Sequence, residues 1–148
     1  MMEDKFKGLS FGEVWDMLDD CKNLDEKIEV YQKMVELSEE FIPADLDDYA
    51  GSMDNLAFCY MKRNEYAKAV PLLERALLLY RIQEFYKPIF VYQRCYALKK
   101  LVKCQKELGN KTLAILYEHE LRLWDAASGG CTCRSLEDTS VGSRGLQM

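Results

Sequence analysis

The chain has 148 residues, enough for one domain whose core needs no staples. Hydrophobic residues at 49% and charged residues at 30% are the proportions of a soluble globular protein, and a formal charge of -5 argues against general nucleic-acid binding, which rests on Lys and Arg at phosphates. The opening Met-Met-Glu-Asp-Lys-Phe-Lys has no apolar segment of signal length and no later run is long enough to span a bilayer, so the expected place is the cytoplasm.

Helical spacing of apolar residues persists from Leu9 to Trp124, and strand-type alternation is nowhere sustained, so the predicted fold is all-α. Helix one runs from Phe11 to Lys22, capped by Ser10 with Glu13 completing a capping box, and turns Phe11, Val14, Trp15 and Leu18 inward. Helix two covers Asp25 to Phe41, with Ile28, Tyr31, Met34, Val35 and Leu37 inward, and ends at Ile42-Pro43 because the residue before proline avoids the helical region. The acidic stretch Asp45-Leu46-Asp47-Asp48 is a linker into helix three, which ends near Lys62 and carries the stripe Met53, Leu56, Ala57 and Tyr60. Helix four spans Tyr66 to Glu84 with Pro71 near its first turn. Helix five starts near Pro88 and ends at Leu108-Gly109, where glycine supplies a left-handed cap, and helix six covers Lys111 to Ala126.

The helices pair through an internal repeat. Its cleanest unit is Met53, Leu56, Ala57, Tyr60, Tyr66, Ala69, Leu73 and Ala76, in which the alanines permit close approach of the paired helices. Weaker matches read Phe11, Val14, Trp15, Leu18, Leu24, Lys27, Tyr31, Met34 upstream and Leu98, Leu101, Val102, Gln105, Gly109, Ala114, Glu118, Leu121 downstream. Aligning Ala57 with Trp15 gives an offset of 42, and with Val102 an offset of 45. The middle unit resembles the tetratricopeptide repeat almost position for position. The long offsets, with Asn55-Leu56-Ala57 and Leu72-Leu73-Glu74-Arg75-Ala76-Leu77, look like the repeats of kinesin light chains.

The resemblance implies a right-handed solenoid of helical hairpins over residues 8–127, with repeats at about 8–41, 50–83 and 95–127. It also implies a protein-binding adaptor or scaffold, not an enzyme, that holds a peptide segment of a partner in a groove lined by the first helix of each pair. Helical phase places Gly12, Asp16, Asp19 and Asp20 in that groove from pair one, and Asp54, Asn55, Phe58, Met61 and Lys62 from pair two. Tyr96, Lys99, Lys103 and Lys106 complete it from pair three. The groove is then graded from acidic through apolar to basic, which would fix a peptide's direction. Asn55 stands where the family often bonds a peptide backbone. The basic carboxylate clamp of co-chaperone relatives is not matched, since pair one offers Gly12 and Asp16, and only Asn55 and in part Lys100 fit.

No catalytic arrangement stands out. His119 is the sole histidine, no nucleophile-elbow or phosphate-binding glycines occur, and no cofactor or metal is expected. Cys21, Cys59, Cys95 and Cys104 fall in helical patterns and read as reduced core residues, while Cys131-x-Cys133 lacks the spacing of a redox or zinc motif. Residues 128–148 hold Gly, Ser, Thr and scattered charges, and are predicted to be a disordered tail. No capping helix follows helix six, so Leu113, Leu116, Tyr117, Leu123 and Trp124 are expected to be partly exposed. Three explanations stay open: self-association of the chain through that end, a partner that covers it, or a shortened form of a longer repeat protein.

Overall fold

Ser10 caps the first helix as the sequence requires. Its hydroxyl accepts from the Glu13 N–H at 3.3 Å, and the Glu13 carboxylate accepts from the Ser10 N–H at 2.8 Å. The computed structural model describes residues 4–40, 46–85 and 91–128. Among these, α1 is only Phe11–Asp16, continued by a 3-10 turn over Met17–Asp20. The predicted extension to Lys22 does not form as α-helix. It would gather Asp16, Asp19 and Asp20 at the negative end of the helix dipole with Lys22 alone to offset them.

The second helix, α2, covers Leu24–Glu39, and its cap Asn23 accepts from the Glu26 N–H at 2.9 Å. Its predicted end at Phe41 lies outside the described residues. Helix α3 is Leu46–Lys62, so most of the expected acidic linker is helix. Asp47 and Asp48 sit in its first turn, where carboxylates meet the positive dipole end. Helix α4 is Tyr66–Glu84, with Pro71 on an exposed position where water can reach the carbonyl its missing N–H leaves free. Helix α5 is Val91–Glu107 and α6 is Lys111–Ser128; the expected start at Pro88 and the tail from 129 lie outside the described residues.

Two of the turns are copies of one another at the offset of 45. After α3 the Glu65 N–H reaches the Tyr60 carbonyl at 2.8 Å and the Asn64 N–H reaches Met61 at 2.9 Å. After α5 the Asn110 N–H reaches Gln105 at 2.8 Å and the Gly109 N–H reaches Lys106 at 3.1 Å. Both are Schellman caps, and the left-handed residue each requires is Asn64 (φ 60°) and Gly109 (φ 80°). Glycine takes that conformation freely, and asparagine is among the side chains that tolerate it.

Each helix packs against the next in chain order, and α3 also touches α5. The stripe expected on α3 is inside: Met53, Leu56 and Ala57 are buried and Tyr60 is half-buried. Ala57, Ala69 and Ala76 have no exposed surface, consistent with the close approach their size allows. The main core joins Tyr49, Met53, Ala57, Leu73 and Tyr80 to Leu98, Leu101 and Cys104. A second cluster, Val14, Val30 and Met34, holds α1 on α2. A third, Ile28, Leu56 and Cys59, joins α2 to α3. The centre of α3 has no solvent side, since Tyr49 through Ala57 are all buried.

Candidate interaction face on helices three and five

Asp54, Phe58 and Lys62 are four residues apart along α3 and therefore share one face. Tyr96, Lys99 and Lys103 follow at intervals of three and four on α5, with Lys100 next to Lys99. The two rows meet at Lys100. Its ammonium donates to Asp54 Oδ1 at 2.5 Å, and Asp54 Oδ2 accepts from the Tyr80 hydroxyl at 3.0 Å. Asp54 and Lys100 side chains are both 0% exposed. This pair ties α3, α4 and α5 at one level of the stack. An ion pair so deep gains attraction but loses hydration, so its clearer effect is on register: slipping one helix strands a charge.

Phe58 lies above this lock. The Lys62 ammonium is 4.7 Å from its ring centroid and that of Lys100 is 5.1 Å away, both within cation–π range. The ring is half-buried and Lys62 is exposed. On α5, Tyr96 and Lys99 are half-buried, and Lys103 is exposed with Glu107 Oε1 3.5 Å from its ammonium. Lys106 turns to α6 and pairs with Glu118 at 2.6 Å.

Other expected groove residues are placed differently. Asp54, Asn55 and Met61 are buried, Met61 within the main core, because α2, α4 and α5 enclose α3. Asp16 is exposed at the end of α1, a helix that packs on α2 and not on α3 among the described residues, so it is not brought to the Phe58 cluster. Asp19 and Asp20 are likewise exposed there. The structure thus unites Phe58, Lys62 and Lys100, and leaves the acidic end apart.

The inner phenol and thiol groups are held in their neutral, protonated forms. Burial first, and then the Asp54 carboxylate, raise the Tyr80 hydroxyl well above the ordinary tyrosine range. Burial pushes Tyr31 up to about 12 and the Cys104 thiol up to about 11, and also raises Cys59. A thiol kept protonated is a poor nucleophile. His119 is exposed, and no cluster of metal-ligating side chains occurs among the described residues. Nor is any described helix long and apolar enough to cross a membrane.

The family model of the tetratricopeptide repeat matches residues 50–82, from the second turn of α3 to the last turn of α4. No curated protein and no solved structure matches the chain.

Proposed function

This is a tetratricopeptide-repeat chain, and from that premise we propose that its α3–α5 face receives a peptide segment of a partner protein. Repeats of this kind are interaction modules, typically without catalysis of their own, and the chain is read as an adaptor or scaffold. The observation that carries the finer reading is Phe58, an aromatic ring left half-open between two ammonium groups. Aromatic anchors beside cations are where binding energy concentrates. Lys62 beside it, with Lys99 and Lys103 on α5, would favour a segment with carboxylates, and Tyr96 would add a second aromatic surface. Asn55 and Met61 are buried, and Phe58 packs against the cluster that holds Met61. Asp16 enters only for a segment long enough to pass α2. The proposal places this recognition in the cytoplasm.

The test is a peptide selection on the full chain, followed by calorimetry of the selected peptides. Phe58→Ala and Lys62→Glu are each expected to weaken binding by about tenfold or more, with helical circular dichroism unchanged. Peptides that bind both variants as tightly as the original would remove the face from consideration.

A further inference from the structure

A second surface lies on the outer helices. Leu78, Ile82 and Phe85 recur along α4 at intervals of four and three, and they are 54%, 44% and 91% exposed. Leu113, Leu116 and Leu123 recur along α6 at intervals of three and seven and are also exposed. Two contacts align these rows. Arg81 of α4 holds Glu120 of α6 in a bidentate pair with the nearer contact at 2.5 Å, and the Tyr117 hydroxyl donates to Glu74 at 3.4 Å. Glu120 lies one turn beyond Leu116 and one turn before Leu123, while Arg81 lies between Leu78 and Phe85. The six apolar side chains therefore form one patch crossed by an ion pair.

This position differs from the open end expected for Leu113, Leu116 and Leu123. Ala114 and Leu121 of α6 turn to the core, and beside them Glu118 is bonded to Lys106 of α5 at 2.6 Å and lies 3.8 Å from Arg122. Ile115, 61% exposed, stands outside the row of Leu113, Leu116 and Leu123. Tyr117 is half-buried, and the side chain of Trp124 lies outside the described residues.

We infer that the α4–α6 patch is the contact by which two copies of this chain form a two-fold dimer. Area and charge both point to a second copy. Six apolar side chains about half exposed leave on the order of 500 Å² bare, as large as the largest patch on an ordinary monomer. Two such patches face to face bury about 1,000 Å², the threshold for a specific interface. The patch also carries both signs of charge at its middle, Arg81 against Glu74 and Glu120. A two-fold axis brings the same patch to itself, and an axis through the ion pair would set each Arg81 near the acidic pair of the other copy. A partner of one charge sign would be repelled by one of the two, and a purely apolar partner would desolvate them without recompense.

Sedimentation equilibrium of the full chain from about 1 to 300 µM tests this. The monomer mass of 17.2 kDa is expected to double with concentration. Leu116→Glu and Phe85→Glu, both at exposed positions that fold without them, are expected to raise the dissociation constant about 100-fold or more, because each acts twice across the axis. Ile115→Glu and the Phe58→Ala variant should dimerise as the original does. Hydrogen exchange should slow in residues 78–85 and 113–123 at the higher concentration. A constant monomer mass overturns the inference, including one in which this patch is protected by another part of the same chain. So does a dimer that survives Leu116→Glu but not Ile115→Glu, or growth beyond two copies. The peptide-binding reading is decided separately, by the response to Phe58→Ala.

Discussion

Replacing Lys100 by Met removes one charge from a pair that water does not reach while keeping most of the side-chain volume. The Asp54 carboxylate then loses the ammonium at 2.5 Å and keeps the Tyr80 hydroxyl at 3.0 Å. Breaking a buried pair from one side costs about 3–5 kcal/mol, most of it the penalty of the stranded charge. In a chain of this length each kcal/mol lowers the melting temperature by roughly 2–4 °C, so the variant should melt about 6–20 °C below the original.

The companion variant Lys100→Met with Asp54→Asn separates charge from packing. The amide has the shape of the carboxylate and still accepts from Tyr80, but no ion remains. We expect it to regain about 2 kcal/mol or more of the single-variant loss, measured by urea unfolding at constant slope. A Lys100→Met variant within about 1 kcal/mol of the original would refute the account. A double variant that merely adds the two single losses would do so as well, since the loss would then be packing alone.

Three further outcomes follow from the same contacts. Ala69→Leu, which forces three carbons into a position with no exposed surface, should cost about 1–3 kcal/mol by thermal unfolding, whereas the same change at exposed Ala67 should be nearly neutral. Asn64→Val places a branched side chain at φ 60° and should cost about 1–3 kcal/mol, while Asn64→Gly should fall within about 0.5 kcal/mol of the original. Tyr31 is pushed from 10 up to about 12 by burial, so the folded state favours its protonated form. That contribution is complete below pH 10 and is lost as pH rises from 10 towards 12; a Tyr31→Phe variant should show a shallower fall of melting temperature across that window.

Helix content was legible because it depends on local spacing. Met53, Leu56, Ala57, Leu73 and Ala76 announce their faces through intervals of three and four, and all are buried. The limits of α1 were not, because a capping box marks a start and nothing as strong marks a stop when the final residues are acidic. Asp54 was misplaced for a different reason. An aspartate read alone belongs on a wet surface, and only its partner 46 residues later makes burial affordable. A signal for it existed: the offset of 45 that aligns Ala57 with Val102 also sets Asp54 level with Lys99 and beside Lys100. Gln105, another polar residue at a core position, is explained in the same way, since its side chain accepts from the Asn110 amide at 2.7 Å.

The two proposed surfaces fall on alternate helices, and this has a physical cause. In a stack of hairpins the odd helices α3 and α5 come level with each other, and the even helices α4 and α6 do the same. Residues 39 to 46 positions apart then face one another: Asp54 meets Lys100, Glu74 meets Tyr117 and Arg81 meets Glu120. Each row is closed at its centre by a charged contact and flanked by apolar or aromatic groups left open, Phe58 on one side and Leu78, Phe85, Leu116 and Leu123 on the other. The charged contacts specify the register in which the hairpins stack, and the open groups remain for other molecules. Because the rows share no side chain, a substitution in one should leave the other intact. Peptide binding by the Leu116→Glu variant, measured beside dimerisation of the Phe58→Ala variant, therefore tests the arrangement as a whole: loss of both functions in either variant would mean that the two rows are one coupled surface.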